Sequence, residues 1–246
     1  MAEDLTKSLE SAARLAAGKG LTRFTRFLDP AQLMQARQIA RSAGARLDSW
    51  GGYEGAERAI ACFYPEGEAP GREEYPLVCL RSGFASKFCS LSHRDLLGAF
   101  MALGLTRSCV GDMIVQDANV FLFAERQTAG FIAEGLTSAG RAALRFEVLG
   151  EIPPMPEPKG TAFSAVVSSL RLDAVLAAAY RLSRGDAAEA IRAGLVKLDH
   201  LPCDRVDQSV CEGSLLSLRA RGRVRLSSVD GMTKKQRIGV TFFRYE

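Results

Sequence analysis

Apolar and polar residues alternate with two different periodicities along this chain, and the two periodicities together predict a mixed α+β protein. One helix face is marked by apolar residues at three- and four-residue spacing, namely Leu172, Val175, Leu176 and Ala179. Residues 143–149, ALRFEVL, instead alternate between apolar and polar side chains, as in a half-buried strand. The expected fold class is therefore α+β.

The middle of the chain, residues 76–150, predicts six elements in the order β-α-β-β-α-β. The strand PLVCL precedes a helix that begins at a capping box of Ser92 and Asp95 and ends at Gly104. The strands GDMIVQ and NVFLFAE, a helix over residues 125–136 and the closing strand ALRFEVL complete the order. This ferredoxin-like arrangement serves RNA-binding domains, enzymes and metal carriers alike, so it does not define a function.

The first 75 residues predict a helical region followed by a pair of strands. Asp29, which precedes a proline, marks a helix start, and Gly44 marks a helix end. Possible strands near Leu47 and Ile60 flank a glycine-rich turn, GGYEGAER. This turn is not a Walker loop, because no Gly-Lys-Ser/Thr follows it.

A proline-rich segment divides the chain. Four prolines fall within six residues, and such a segment favours an extended spacer because proline cannot join a helix or a central strand. The expected domains are an N-terminal α+β region 1–75, a ferredoxin-like domain 76–150, a linker 151–160 and a small C-terminal module 161–246.

The C-terminal module predicts two short helices and a small sheet. Leu172 and its apolar partners lie on the first helix. Ser183 and Asp186 form a capping pair, so the second helix is expected to begin at Arg184 and to end at Gly194. The segments LVKLD and SLLSL then predict short strands.

Composition excludes several classes of protein. Of the 246 residues, 47% are hydrophobic and 24% are charged, as in soluble globular proteins. No apolar run approaches the roughly 20 residues of a membrane span, and the acidic N-terminus argues against a secretory signal. The six cysteines are scattered and there are two histidines, so we expect no metal, no cofactor and a cytoplasmic location.

Positive charge is concentrated in the last third of the chain. Residues 160–246 carry 14 Lys/Arg and 9 Asp/Glu, a net charge of +5, whereas residues 1–159 have a net charge of −1. This asymmetry indicates an acidic partner for the C-terminal module, with nucleic acid the usual candidate.

The segment SLRARGRVRL, residues 217–226, alternates arginine with small or apolar residues and contains no acid. If it forms one strand, its arginines share one face over roughly 20 Å, while Ala220, Val224 and Leu226 point inward. Guanidinium groups suit phosphate, which favours a polyanion grip over an edge strand protected by charge. A bulge at Gly222 would interrupt the row. The basic residues are Arg219, Arg221, Arg223 and Arg225, extended by Lys234, Lys235 and Arg237.

Several segments resemble known RNA-binding proteins. SLRLDAVL, SRGDAAEAIRAGLVKLD, GSLLSLRARGR and GMTKKQR resemble the alpha-L RNA-binding module of the ribosomal protein S-four type. FLDP, GGYEGAER and LSHRDLLGAFMALGLTRSCVGDMIV resemble the YlmH family of bacterial RNA-binding proteins, and the similarity extends from about Arg26 over nearly the whole chain. The sequence departs from the family pattern after Arg58 and at Asp199 and His200.

This resemblance implies a cytoplasmic, non-catalytic protein that binds rRNA of the large ribosomal subunit, and possibly peptidyl-tRNA, in ribosome-associated quality control. The family is also linked to cell division, and a monomer is expected. Matching positions imply RNA contacts at Arg171, Arg184, Lys197 and the arginine run, with Asp173 orienting an arginine. Arg171 is expected one turn into its helix, and Arg184 at a helix N-terminus where free N–H groups face phosphate.

Possible secondary RNA contacts are His93, Arg94 and Arg58. Ser92 and Asp95 flank His93 on one helix start, so capping explains them better than a catalytic triad. Phe121 and Phe123 lie two residues apart on a strand, and core packing is favoured over a stacking platform.

Two other functions stay open. One is an RNA-modifying enzyme such as a pseudouridine synthase, because the same module is often appended to one. The first 150 residues are short for that catalytic domain and show no obvious catalytic-aspartate motif. The other is a protein-interaction scaffold for division proteins, in which the charge serves solubility alone.

Overall fold

The computed structural model describes residues 2–67, 69–156, 159–232 and 237–246. They form two compact units, Met1–Pro156 and Glu157–Glu246, whose boundary falls within the proline-rich segment. The fold is α+β, as predicted. Among the described helices, none combines the length and the apolar character that a membrane span requires.

The first part of the N-terminal unit is a three-stranded antiparallel sheet with two helices. The strand order is β1-β3-β2, and strands β2 and β3 flank the glycine-rich turn as predicted. Helix α2 begins at a capping box of Asp29 and Gln32 and ends at Gly44, also as predicted. Strand β1 was not predicted. The elements are α1 Ala2–Lys19, β1 Arg23–Leu28, α2 Pro30–Ala43, β2 Arg46–Trp50 and β3 Ala59–Tyr64.

The second part of this unit contains the predicted β-α-β-β-α-β series, with an additional two-stranded sheet between its second helix and its last strand. Its main sheet is antiparallel with the order β5-β6-β4-β9. Helix α3 begins at the predicted capping box, in which Ser92 Oγ accepts from the Asp95 backbone N–H at 3.2 Å. The elements are β4 Leu77–Gly83, α3 His93–Ala102, β5 Val110–Gln116, β6 Asn119–Glu125, α4 Ala129–Gly135, β7 Ser138–Ala139, β8 Ala142–Ala143 and β9 Glu147–Val148.

The end of this part differs from the prediction. The closing strand is reduced to β9, because the backbone N–H of Arg145 donates to Ser82 Oγ (2.8 Å) instead of joining the ladder. Leu144 and Phe146 are buried as expected, but Val148 is 54% exposed. The second helix also begins late, after a 3₁₀ turn at Arg126–Thr128.

Both faces of the main sheet are covered. On one face, Leu80 and Leu122 pack with Leu96 and Phe100 of α3 and with Ile132 of α4. The opposite face contributes to a second cluster, here called the shared core, which joins the two parts of the unit. The shared core consists of Phe27, Ile60, Cys62, Tyr75, Leu77, Cys79, Phe121 and Phe123.

A half-buried ion pair reinforces the shared core. Arg26 on β1 donates from Nε and Nη2 to the two carboxylate oxygens of Glu125 on β6, each at 2.8 Å. Glu125 is 6% exposed, and its bidentate carboxylate raises the pKa of Arg26. The pair therefore ties β1 to a strand 99 residues away.

The C-terminal unit is a six-stranded antiparallel sheet with two helices. The strand order is β10-β15-β14-β13-β11-β12. The predicted stripe of α5 is fully buried, and α6 begins at Arg184, as expected. The segments LVKLD and SLLSL contain strands β11 and β13. The elements are β10 Gly160–Val167, α5 Leu172–Tyr180, α6 Arg184–Arg192, β11 Val196–Leu198, β12 Leu201–Pro202, β13 Leu215–Leu218, β14 Gly222–Met232 and β15 Ile238–Tyr245.

Candidate nucleic-acid interface

Asp173 joins the N-terminal ends of α5 and α6. Its carboxylate, 9% exposed, accepts hydrogen bonds from Arg171 Nε at 3.2 Å and from Arg184 Nε at 3.1 Å. Burial alone raises the pKa of Asp173, but the bonds and charges of the two guanidiniums outweigh it, so the pKa lies below its ordinary value. The arginine side chains are 43% and 54% exposed. Asp173 therefore orients two guanidiniums that still face solvent.

The structure corrects the position of Arg171. This residue is the N-cap of α5 and has extended backbone angles, whereas the sequence placed it one turn inside the helix. Its neighbours are held extended by backbone bonds to the segment 208–210, in which Val210 donates to Leu170 and Leu172 donates to Gln208. Arg184 lies in the first turn of α6, as predicted, beside the N-cap Ser183.

The arginine run does not form one strand, so that prediction was wrong. Strand β13 ends at Leu218 and β14 begins at its pairing partner Gly222. The intervening Arg219–Ala220–Arg221 turn is exposed. Ala220 (φ 63°) and Gly222 (φ 79°) both adopt left-handed backbone conformations, which reverse the chain. Ala220 therefore points to solvent and not into the core.

Consequently the four arginines form two pairs. Arg219 and Arg221 lie at the tip of the β13–β14 hairpin. Arg223 and Arg225 alternate along β14 around Val224, which is fully buried as expected.

Tyr180 of α5 contacts the backbone of both strands of this hairpin. Its hydroxyl lies 3.0 Å from the carbonyl oxygen of Leu216 and 2.9 Å from that of Gly222. Burial raises the pKa of Tyr180 to about 12, so the hydroxyl stays protonated at neutral pH. Sequence reasoning missed this contact, because a tyrosine on an apolar helix is indistinguishable from ordinary core.

Basic side chains also line up across the sheet. Lys197 of β11 pairs with Ser217 of β13, which pairs with Arg223 of β14. Residues directly paired across antiparallel strands point to the same face. We call this face, opposite α5 and α6, the outer face. Arg225 lies two residues further along β14 and shares it.

The remaining basic candidates of the module are distributed differently. Arg237 is exposed and donates from Nη2 to the Val166 carbonyl oxygen at 3.1 Å. Lys234 and Lys235 lie outside the described residues. Arg244, which the sequence did not single out, donates from Nη2 to the Ala179 carbonyl oxygen at 2.7 Å and so caps the C-terminal turn of α5.

Arg58, one of the three possible secondary RNA contacts, is held by hydrogen bonds within the protein. Its guanidinium donates to the carbonyl oxygens of Phe27, Arg107 and Val110 at 3.1–3.2 Å. Burial lowers its pKa. These bonds hold the glycine-rich turn against the sheets, a role that the charge alone did not indicate.

His93 and Arg94 lie in the first turn of α3. Both are exposed, and His93 Nδ1 lies 3.2 Å from the Met113 carbonyl oxygen. Ser92 and Asp95 act in capping, as favoured.

Phe121 and Phe123 are core residues, as favoured from the sequence. They are 7% and 0% exposed and belong to the shared core. The ring of Tyr53 from the glycine-rich turn lies 5.0 Å from that of Phe123. The sheet face that RNA recognition motifs use for base stacking is therefore covered in this chain.

Comparisons with known proteins place the chain among bacterial RNA-binding proteins. A family model described as "Putative RNA-binding domain in YlmH" matches residues 70–150. Ribosome-associated protein quality control protein P2 of Bacillus subtilis (strain 168) is 37% identical over 224 residues, which cover 90% of this chain and 87% of that protein. The chain belongs to the YlmH family. Its resemblance to YlmH proteins, inferred from the motifs, is confirmed.

A solved YlmH structure is also similar. The cell division protein ylmH from Streptococcus pneumoniae matches 60% of this chain and 86% of its own, at 22% identity and a TM-score of 0.47.

Proposed function

We propose that this YlmH-family protein is a non-catalytic RNA-binding factor of the bacterial cytoplasm. It binds rRNA of the large ribosomal subunit as a monomer, and peptidyl-tRNA on that subunit, in ribosome-associated quality control. The name of the Bacillus subtilis relative and the matched RNA-binding family model support this proposal.

The observation that carries the proposal is the Arg171–Asp173–Arg184 cluster. A nearly buried carboxylate holds two half-exposed guanidiniums at the starts of two helices. The dipole of each helix also favours an anion near its N-terminus. The outer-face row of Lys197 and Arg223 and the Arg219–Arg221 tip add further phosphate-binding groups.

Binding to isolated large ribosomal subunits across a salt series tests this function. One variant changes Arg184 of the cluster to Gln, and a second variant changes Arg219, Arg221 and Arg223 to Gln. We expect weaker binding and a log–log salt slope flatter by about 0.7–0.9 for each lost phosphate contact. The matched control changes three exposed arginines of the N-terminal unit, Arg14, Arg37 and Arg41, to Gln, which removes the same charge elsewhere.

Each outcome has a distinct meaning. If both triple variants behave alike, the arginine run is not a specific grip. If the wild type does not bind subunits at all, the ribosomal proposal fails. Tighter binding to subunits that carry peptidyl-tRNA than to empty ones is expected if the tRNA is contacted. Formation of pseudouridine from the bound RNA would instead favour the enzyme.

A further inference from the structure

Two aromatic rings lie on the outer face beside the strand arginines. Phe243 of β15 pairs with Arg225, and Arg244 pairs with Val224, so the register places Tyr245 beside Arg223. The Arg223 and Arg225 guanidinium carbons lie 5.2 Å and 5.8 Å from the Tyr245 ring centroid. Phe243 and Tyr245 pack edge to face, with centroids 5.1 Å apart.

The edge strand β10 carries small residues, Gly160 and Ala162, opposite these two rings. Gly160 pairs with Tyr245, and a Cβ at this position would lie 2.6 Å from the Phe243 ring and 2.2 Å from the Arg244 carbonyl oxygen. Only glycine therefore lets the Phe243 ring lie against the backbone of β10. Ala162, which pairs with Phe243, is small and uncharged, so the rings remain partly exposed.

Core packing does not account for these rings. The apolar core of this unit lies on the other face of the sheet, where Phe242 and Val224 pack with α5 and α6. Aromatic rings flanked by guanidiniums on a solvent face match the chemistry of unpaired nucleotides. Every base has a π-face that stacks on aromatic rings and on arginine, while the same arginines attract the flanking phosphates.

We propose that Phe243 and Tyr245 form a base-stacking platform for an unpaired RNA nucleotide, with Arg223 and Arg225 binding alongside it. This inference rests on the proposed RNA-binding function. It adds a site for single-stranded RNA on the outer face, distinct in chemistry from a grip on phosphate alone.

The test uses the full chain and a single-stranded RNA of about 12 nucleotides with one central 2-aminopurine. Stacking of this base on an aromatic ring quenches its fluorescence. Replacing Tyr245 with Leu is expected to weaken binding about 5- to 150-fold and to abolish the quench, without changing the salt slope. Replacing Tyr245 with Phe keeps the ring and is expected to preserve both. By contrast, Arg223→Gln is expected to flatten the slope by about 0.7.

Two further variants guard the interpretation. Phe243→Leu tests the second ring, and thermal melts establish that each variant is folded. Phe131→Leu makes the same change at an exposed phenylalanine (56%) of α4 and is expected to leave binding unchanged.

If Tyr245→Leu and Phe243→Leu bind and quench like the wild type, the platform is refuted while RNA binding stands. The same conclusion follows if the wild type binds large subunits but not the single-stranded probe. If the wild type binds neither, the proposed function fails as well.

Discussion

At the residue scale, a single carboxylate decides how two arginines are presented. Asp173 is nearly buried, yet both of its guanidinium partners are about half exposed. Asp173 therefore helps to build a basic surface by orienting its arginines. A count of charges along the sequence would show only that Asp173 lowers the net positive charge. The sequence correctly indicated that Asp173 orients arginine, but it identified neither the second partner nor the support that Tyr180 gives to the hairpin.

Replacing Asp173 with Asn is expected to lower the free energy of unfolding by about 1–3 kcal/mol, because two charge-assisted hydrogen bonds are weakened. RNA affinity should also fall, although the net positive charge rises. Urea denaturation and the salt-series binding assay measure the two effects. As a control, Asp207→Asn removes an exposed carboxylate, 54% accessible, that lies 3.8 Å from Arg205. It should cost less than about 1 kcal/mol.

The same residue predicts a pH dependence. The folded pKa of Asp173 lies below its ordinary value, so its stabilising contribution is present above the unfolded pKa of about 3.9 and is lost as the pH falls through the folded pKa. The stability difference between the wild type and Asp173→Asn should therefore shrink as the pH falls below about 4. A difference that stays constant from neutral to acidic pH would show that the carboxylate contributes no charge-dependent stability.

At the scale of elements, the sequence predicts helix starts from local signals but does not predict which strands pair over long range. Ser92 and Ser183 were recognised as helix starts because a cap depends on residues within one turn. The hairpin at Ala220 was missed, since alanine rarely adopts a left-handed conformation and the alternation of arginines resembles a strand. Tyr245 lies beside Arg223 only through the β14–β15 register, for which no sequence signal was found.

The hairpin geometry predicts opposite effects at two nearby positions. Ala220→Gly should raise the free energy of unfolding by about 0.5–1 kcal/mol, because glycine adopts the left-handed conformation without strain. Gly222→Ala should lower it by about 1–2 kcal/mol for the converse reason. Urea denaturation measures both. The control Ala162→Gly, in strand β10, should be destabilising, because glycine weakens a regular strand.

The ion pair between β1 and β6 gives a second prediction for elements. Arg26→Ala leaves the nearly buried Glu125 carboxylate without its half-exposed cationic partner, so the free energy of unfolding should fall by about 1–3 kcal/mol. Arg46→Ala breaks the exposed pair with Glu66 and should change it by less than about 1 kcal/mol. Equal effects of the two changes in urea denaturation would show that the burial of Glu125 adds nothing to the strength of its pair with Arg26.

At the scale of the whole molecule, each unit has a hydrophobic core of its own. The C-terminal core is formed by α5, α6 and their sheet, and the remaining clusters belong to the N-terminal unit. The boundary at the prolines was visible in the sequence because proline acts locally. The sequence did not show that residues 1–75 and 76–150 belong to one unit, because the shared core joins segments that are far apart in the chain.

We therefore expect the two units to unfold independently. The single tryptophan, Trp50, lies in β2 of the N-terminal unit, so its fluorescence reports that unit alone. In urea, the fluorescence transition of the full chain should match that of a fragment spanning residues 1–156. Far-UV circular dichroism of the full chain should show this transition and a second one, which should match the transition of a fragment spanning residues 159–246. One coincident transition that is absent from either fragment would contradict this independence.

The shared core has a consequence for solubility. The family model begins at residue 70, but that boundary cuts through the shared core. A fragment of residues 70–150 would expose Leu77, Cys79, Phe121 and Phe123 together on one sheet face. Contiguous apolar surface of this kind promotes aggregation, so the boundary of the family model and the smallest soluble piece of this protein should not coincide.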